Sequence, residues 1–359
     1  MVLLSLFSKV RGFGLYLPAC ARGWNRGFCP SSCWPLLFST SYLTPRFFSN
    51  ANEGLRMRKR PRISAFPKCY LEEISQKRTM SVFDWIQMAK DLPAEGLEMY
   101  EGFLWELNDS FLGRLSDELS RCNFEMPMLC CSPDFTHPER SKRLAAVEYQ
   151  KKMIEVAFKL GGAGTVCRVL SGQRWPEVDH QRGLDYASEG ILACIPTAQS
   201  LGVVLGIENH YKDGFWLYPE FAQKKEVFLA LLDRIPESPN FGVQYDPSNA
   251  VVAGDDPLEL LDAVLPRVVS MHASDRYLAP GASLDDLKHA EGSAGYSKLL
   301  LHGVTGKGLN NYPEIFRRLS ESGYSGWISI EDGMNGMEEM RESLLFLRQM
   351  VETFYMTGE

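Results

Sequence analysis

The sequence predicts a single (β/α)₈ barrel preceded by a basic extension outside the fold. Short apolar segments alternate with helical stretches eight times between residues 63 and 331, the pattern of a parallel β/α fold. An ionisable residue stands at or directly after the end of each of the last four apolar segments. Such a barrel usually takes about 250 residues. We therefore expect a barrel over residues 61–359 and an extension over residues 1–60.

The extension carries nine Lys or Arg and a single acid, Glu53. A secretory signal needs an unbroken apolar stretch, which Lys9 and Arg11 interrupt. An organellar transit peptide agrees with the many Arg and Ser, and a start codon assigned too early would make Met57 the first residue. We expect the segment to lie outside the fold and the protein to be cytoplasmic, with organellar or exported locations left open.

The remainder of the chain is acidic. Residues 1–60 have a formal charge of +8 and the whole chain has −7, so residues 61–359 carry −15. A body of that charge repels phosphate backbones, which argues against nucleic acid as a partner. No run reaches the roughly 18 apolar residues of a membrane span, so we expect no membrane partner. Nine cysteines without a CxxC pair indicate reduced thiols rather than a disulfide framework.

Helix signals separate the eight predicted strands. Pro138 begins a helix that Gly161 and Gly162 end, and Asp256-Pro257 supplies a cap followed by a proline in the first turn. The predicted strands cover residues 63–66, 96–99, 126–131, 165–170, 202–208, 241–245, 268–272 and 327–331.

One connection, at residues 273–312, is unusually long. Loops of this length in compact domains are commonly lids or binding loops, or else disordered. The connection leaves the carboxyl face of the barrel, where enzymes of this fold keep their active sites. We therefore expect a lid or a pocket wall, with a passive insertion as the alternative.

Four ionisable residues end the fifth to eighth strands: Glu208, Asp246, His272 and Glu331. Neighbouring strands lie about 4.8 Å apart, so these side chains can converge on one point. Three carboxylates without a cation would repel one another, whereas three carboxylates and an imidazole suit a hard divalent ion. We expect a metal site with two positions left for substrate oxygens or water. Salt bridges and helix caps around the rim are the alternative.

The chain resembles the xylose isomerase-like TIM barrel superfamily, in particular its sugar phosphate isomerase/epimerase group. The resemblance covers about residues 63–350 and is carried by the segments GLEMYEG, LCCSPDFTHPER, GIENH, QYDPSNAVVAGDDP, VVSMHASD and GYSGWISIEDG. It implies an isomerase or epimerase of carbohydrate metabolism. It also implies a divalent metal ion, Mn²⁺, Mg²⁺, Co²⁺ or Zn²⁺, bound by Glu208, Asp246, His272 and Glu331.

In that group the first and last of these glutamates act as acid and base on opposite faces of the bound sugar. The resemblance implies that Glu208 and Glu331 move a proton next to a carbonyl, with the carbonyl and a neighbouring hydroxyl held on the metal and an enediolate as the intermediate. A lyase or dehydratase of a keto-sugar or inosose on the same metal site is the alternative, because the same enediolate can expel a leaving group.

The chain departs from the group three residues after the metal-binding aspartate, where the epimerases commonly have His and this sequence has Asn249. Asn249 can hydrogen-bond a substrate but does not exchange protons near neutral pH. His210 is a candidate for a polar role at the same rim. Glu98 is a candidate for binding substrate hydroxyls, and Arg168 and Arg276 for binding a carboxylate or phosphate.

Two further hypotheses concern the surroundings of these residues. Tyr211, Phe215 and Trp216 form an aromatic group suited to the apolar face of a sugar, or they simply pack together. Asp275, three residues after His272, is a candidate to orient that imidazole.

Two other function classes have less support. A DNA-repair nuclease on this barrel needs a His-rich zinc cluster and a basic surface, whereas the chain has six His and an acidic body. A non-catalytic binding protein would not need all four candidate ligands. We expect an enzyme acting on a small sugar or polyol. The resemblance also implies a homo-oligomer, for which the sequence identifies no interface.

Overall fold

The computed structural model describes residues 59–288 and 298–356. The predicted extension, except for its last two residues, lies outside the described residues, as do positions 289–297 of the long connection.

Eleven strands lie within the described residues, and all but β9 and β10 belong to one parallel sheet. They are β1 (Arg62–Ala65), β2 (Gly96–Leu97), β3 (Met99–Tyr100), β4 (Met128–Cys130), β5 (Val166–Val169), β6 (Val204–Glu208), β7 (Phe241–Tyr245), β8 (Val268–Ala273), β9 (Asp275–Leu278), β10 (Leu300–Gly303) and β11 (Trp327–Ile330).

The sheet nearly closes on itself. Its strand order is β2-β1-β11-β8-β7-β6-β5-β4-β3, so β2 and β3 stand at opposite ends. These two strands are consecutive in the chain and separated only by Glu98; β2 pairs with β1, and β3 pairs with β4. The nine strands therefore fill eight barrel positions. The predicted (β/α)₈ barrel is confirmed, and each predicted strand overlaps an observed one.

Helices alternate with the strands and surround the barrel. The predicted helix after Pro138 begins at Arg140 and ends at Gly161, where Gly162 adopts a positive φ of 76°. Asp256 caps α8 as predicted. The helices are α1 (Leu71–Ser75), α2 (Val82–Ala89), α3 (Asp109–Arg121), α4 (Arg140–Gly161), α5 (His180–Leu201), α6 (Lys225–Leu232), α7 (Pro247–Ala253), α8 (Pro257–Val264), α9 (Leu284–Lys288), α10 (Tyr312–Glu321) and α11 (Met337–Val351).

The long connection contains structure that the sequence does not predict. After Ser274 the chain continues as β9, which pairs antiparallel with β10 to form a separate two-stranded sheet. The following loop is held by Asp275, whose carboxylate accepts hydrogen bonds from the backbone amides of Gly306, Gly308 and Asn310. The described part of the connection is therefore packed onto the end of β8.

The apolar faces of strands and helices form one continuous core. Trp85, Phe135 and Phe228 are among its largest fully buried side chains. The six described cysteines are all free thiols. None of the helices in the described ranges has the length and apolar character needed to cross a membrane.

Candidate metal centre

Four strand ends bring three carboxylates and an imidazole to one point. Glu208 is the last residue of β6, Asp246 follows β7, His272 belongs to β8 and Glu331 follows β11. One potential ligand atom from each residue lies within 4.8 Å of those of the other three. Each residue is at most 8% exposed. The structure thus brings together the four residues that the sequence singles out as metal ligands.

The turn that begins α7 fixes Asp246. Its Oδ1 accepts a hydrogen bond from the backbone amide of Asn249 at 3.1 Å, and Pro247 occupies the first helical turn. The hydroxyl of Ser274 lies 3.3 Å from both carboxylate oxygens. The Asp-Pro-x-Asn sequence therefore caps the helix and at the same time points the aspartate into the cluster.

A cation holds each of the two glutamates. Nη1 of Arg168 donates to Oε2 of Glu208 at 2.8 Å, and Nζ of Lys68 donates to Oε1 of Glu331 at 2.9 Å. The other oxygen of each glutamate faces Nδ1 of His272, at 3.3 Å from Oε1 of Glu208 and 3.6 Å from Oε2 of Glu331. The two glutamates therefore flank the same imidazole nitrogen.

Burial alone would raise the pKa of every carboxyl group here, and their partners decide which ones stay ionised. For Glu208, the charge of Arg168 together with the charge and hydrogen bond of His272 outweighs burial and lowers the pKa to about 2. Burial is likewise outweighed at Glu331, where Lys68 and His272 hold the pKa below its usual range. Burial and then repulsion from both glutamates raise the pKa of Asp246 to about 7.

This donor set fits a divalent ion. Lys68 and Arg168 pair with two of the three carboxylates, those of Glu331 and Glu208, and the imidazole of His272 contacts a fourth carboxylate, that of Glu98. The cluster therefore has an excess of negative charge, which is concentrated where the ligand atoms converge. Carboxylate oxygens with one imidazole are donors that Mn²⁺, Mg²⁺ and Zn²⁺ accept in proteins.

Glu98 contacts the imidazole of His272 through Nε2, the ring nitrogen that does not face Glu208 and Glu331. Its Oε2 is 2.7 Å from Nε2 of His272, and the residue is 1% exposed. Glu98, Cys130 and His272 form a second group of potential metal ligands. The structure thus places Glu98, a candidate for binding substrate, against His272 and not on the cavity wall.

A cavity of about 270 Å³ opens beside the cluster, close to the size typical of small-molecule sites. Glu331 lines it, and so do both cations that hold the glutamates. Its further lining residues include Phe66, Tyr100, His210, Tyr211, Lys212, Asp213 and Phe215. Of the aromatic group expected from the sequence, Tyr211 and Phe215 reach this wall, while Trp216 is buried.

The other candidate substrate-binding residues lie at different distances from this cavity. His210 lines it and stacks on Tyr211, and burial lowers the pKa of His210 to about 4, which keeps the ring neutral. Asn249 donates to Oε1 of Glu208 at 3.1 Å and so touches the cluster itself. Arg276 is buried in β9, with its guanidinium 5.8 Å from the ring centre of Tyr211, one layer behind the wall.

Sequence reasoning missed two further participants. Lys68 stands two residues after the first predicted strand, so the strand-end argument applied to the last four strands would have found it. Glu220 is fully buried, accepts a hydrogen bond from the hydroxyl of Ser171 at 2.6 Å and lies 3.9 Å from Nδ1 of His210. It follows no predicted strand and carries no such signal.

The comparison with protein families finds a match over residues 86–350 to a model described as a xylose isomerase-like TIM barrel. The comparison with curated proteins finds no match.

Solved structures share the fold at low sequence identity. A D-tagatose 3-epimerase-like protein is 18% identical with a TM-score of 0.62, and the alignment covers 82% of this chain and 98% of that one. A probable 3-DHS dehydratase from Bacillus anthracis is 18% identical with a TM-score of 0.59, covering 80% and 98%. An IOLI protein with a zinc atom is 13% identical with a TM-score of 0.62, covering 82% and 99%. At these identities the likeness is one of fold.

Proposed function

The chain belongs to the xylose isomerase-like TIM barrel family, and from that premise we propose that it is a divalent-metal-dependent sugar isomerase or epimerase. The observation that carries the proposal is the convergence of Glu208, Asp246, His272 and Glu331 beside a cavity of small-molecule size. The D-tagatose 3-epimerase-like protein among the similar structures supports this choice of reaction class.

The proposed metal ligands are the four residues of that cluster, and the ion would be Mn²⁺, Mg²⁺, Co²⁺ or Zn²⁺. When bound, such an ion would polarise a substrate carbonyl and make the neighbouring C–H more acidic.

Glu331 and Glu208 are the proposed acid/base pair. Both pKa values are held low, because Lys68 and Arg168 outweigh burial, so both carboxylates are ionised near neutral pH and able to accept a proton. Glu331 lines the cavity and is 8% exposed, whereas Glu208 is 1% exposed. We therefore assign removal of the proton next to the carbonyl to Glu331, and delivery of a proton to the opposite face to Glu208, which would first take that proton up from solvent.

The surrounding residues would hold the substrate and keep the pair aligned. Lys68 lines the cavity while donating to Glu331, so its ammonium lies close to both the base and the substrate. Asn249 fixes Oε1 of Glu208 from the other side. The neutral ring of His210 can exchange hydrogen bonds with sugar hydroxyls without adding charge. Arg276 stays a predicted ligand for an anionic substrate group, which would have to reach past Tyr211.

The test is solvent deuterium incorporation into a panel of ketoses and keto-sugars. Protein treated with a chelator and reloaded with Mn²⁺ should exchange the C–H next to the carbonyl, and Glu331→Gln should abolish exchange. The control is Glu342→Gln, an exposed glutamate paired with Lys307, which should keep wild-type activity. Metal-independent exchange, or full activity in Glu331→Gln, would refute the proposal.

A lyase is the second candidate, because the same proton removal can be followed by loss of a leaving group and a dehydratase is among the similar structures. Mass analysis of the same reactions separates the two: an isomerase conserves mass apart from deuterium, whereas a lyase releases water. A sugar or polyol substrate, the lack of nucleic-acid and membrane partners, the homo-oligomer and the cytoplasmic location all stay predictions.

A further inference from the structure

We infer that Glu98 is a positioning residue that holds His272 with the proton on Nε2 and so keeps Nδ1 available for the metal ion. The inference rests on the proposed metal site and adds a fifth residue to it. Glu98 neither lines the cavity nor belongs to the four-residue cluster. It would act on the reaction only through the imidazole.

The two ring nitrogens of His272 face different surroundings. Nδ1 points to the carboxylates of Glu208 and Glu331, at 3.3 and 3.6 Å. Nε2 points to Oε2 of Glu98 at 2.7 Å, the length of a strong hydrogen bond to a carboxylate. A carboxylate accepts and does not donate, so an ionised Glu98 beside His272 holds the proton of this contact on Nε2. With that proton held on Nε2, Nδ1 is the ring nitrogen whose lone pair a bound ion would use.

The same distance argues against a second metal ion at Glu98, Cys130 and His272. Metal ions bind nitrogen and oxygen ligands at about 2.0–2.2 Å, and in a tetrahedral site this keeps ligand atoms more than about 3 Å apart. Oε2 of Glu98 and Nε2 of His272 are closer than that. A hydrogen-bonded proton fits between these two atoms and a metal ion does not. Glu98 therefore supports His272 as a ligand of the four-residue cluster and does not bind a second ion.

Glu98 lies at the break between β2 and β3, the two short strands that share one position of the barrel. Glu98 separates β2 from β3, and its backbone amide donates to the carbonyl of Ala65 in β1 at 3.0 Å. The side chain is 1% exposed and His272 is fully buried. In that setting water cannot replace the carboxylate, so the orientation of the ring depends on Glu98.

Substitution by Gln keeps the shape of Glu98 but not its chemistry. A glutamine oxygen can still accept from Nε2–H, while its NH₂ group can donate to unprotonated Nε2 and favour a proton on Nδ1. Because a protonated Nδ1 cannot bind metal, we expect Glu98→Gln to lower metal affinity roughly 10- to 100-fold, the usual effect of losing a carboxylate behind a ligating His. Glu101→Gln is the matched control, since Glu101 is a glutamate of the same segment that accepts instead from the backbone amide of Ser132.

The experiment combines Zn²⁺ affinity by competition with a chelating dye and ¹⁵N NMR of protein labelled at histidine. Wild type and Glu101→Gln should bind Zn²⁺ equally, and the loaded wild type should show His272 protonated at Nε2. Glu98→Gln should bind 10- to 100-fold more weakly. The wild-type NMR measurement tests the inference even if the variant does not fold.

Two results would overturn the inference alone: a loaded wild type with no proton on Nε2 of His272, or a folded Glu98→Gln that binds Zn²⁺ within twofold of wild type. Failure of the wild type itself to bind Zn²⁺, Mn²⁺, Mg²⁺ or Co²⁺ would overturn the inference together with the proposed function. The outcomes therefore distinguish a wrong role for Glu98 from a wrong site.

Discussion

At the residue scale, the two proposed acid/base glutamates have the same arrangement: one oxygen on a cation and the other beside His272. The ion pairs of Lys68 with Glu331 and of Arg168 with Glu208 are both largely shielded from water. Removing one partner of such a pair leaves a buried charge without compensation, which costs more than the pair contributes when intact. These cations are therefore expected to matter for both stability and activity.

Lys68→Met tests this expectation. The substitution leaves Glu331 without Lys68, so we expect a loss of roughly 3–5 kcal/mol in the free energy of unfolding, as for other broken buried pairs, and a lower proton-exchange rate. Lys307→Met removes an exposed partner of Glu342 and should cost less than about 1 kcal/mol. Urea denaturation and deuterium exchange provide the two measurements. Equal effects of the two substitutions would show that the pair of Lys68 behaves like a surface pair.

Glu220 gives a pH-dependent prediction. Burial raises its pKa to about 8 against the opposing effect of the hydrogen bonds from Ser171, so the folded state holds a proton that the unfolded chain releases near pH 4.5. A raised folded-state pKa contributes stability that is complete below about pH 4.5 and is lost as the pH rises towards 8. Glu220→Gln mimics the protonated form and should lack this loss.

The measurement is denaturation of metal-free wild type and Glu220→Gln between pH 5 and pH 8. The wild type should lose stability relative to the variant with rising pH, by at most about 1.4 kcal/mol per pH unit. A difference that stays constant over that interval would mean that Glu220 is already ionised in the folded protein.

At the element scale, close contacts between helices and barrel loops constrain particular positions. In α5, a Cβ added at Gly190 would stand 2.5 Å from Cγ of Phe135, which is itself fully buried. In α3, a Cβ added at Gly113 would meet no atom within 4 Å. A side chain at position 190 would therefore collide with the core, whereas the structure has room for one at position 113.

Alanine substitutions separate these cases. Gly190→Ala should destabilise the protein by about 1–3 kcal/mol, because Phe135 has to move within a packed core. Gly113→Ala should stabilise it by about 0.5–1 kcal/mol, because alanine has the higher helix propensity. Thermal unfolding of both variants is sufficient. Stabilisation by both substitutions would show that α5 moves away from Phe135 at little cost.

The positions of strands and helices could be predicted where the signal lies in residues that are neighbours in the sequence. Alternation of apolar segments gave all eight barrel strands, and Asp256-Pro257 gave the start of α8. The break between β2 and β3 at Glu98 and the β9–β10 hairpin could not be predicted from the sequence. A buried glutamate inside a strand depends on its distant partner, His272, and the hairpin depends on backbone hydrogen bonds to Asp275 from residues more than 30 positions away.

At the scale of the whole molecule, part of the candidate site could likewise be predicted from the sequence and part could not. The four proposed ligands could be predicted because parallel strands of a barrel bring their carboxyl ends together. Lys68 and Arg168 as partners of the glutamates could not, since pairing between neighbouring strand ends depends on side-chain geometry. The structure also shows the carboxylate of Asp275 bound to amides of the connecting loop, where the sequence suggested a role beside His272.

The barrel should be independent of the extension. All barrel strands and all core residues of the described chain lie between residues 62 and 355. A variant that begins at Lys59 keeps the exposed pair of Arg60 with Glu95 and should unfold at the same temperature as the full chain. A lower unfolding temperature in differential scanning calorimetry would show that residues before 59 contribute to the fold.

The most direct test of the central claim is calorimetric titration of chelator-treated protein with Mn²⁺. We predict one ion per chain for the wild type and loss of binding in Asp246→Asn, because Asp246 is a fully buried member of the four-residue cluster and the substitution removes its carboxylate. Asp262→Asn, which changes an exposed aspartate paired with Arg318, should bind like the wild type. Binding that survives Asp246→Asn, or no binding by the wild type, would contradict a metal centre at these four strand ends.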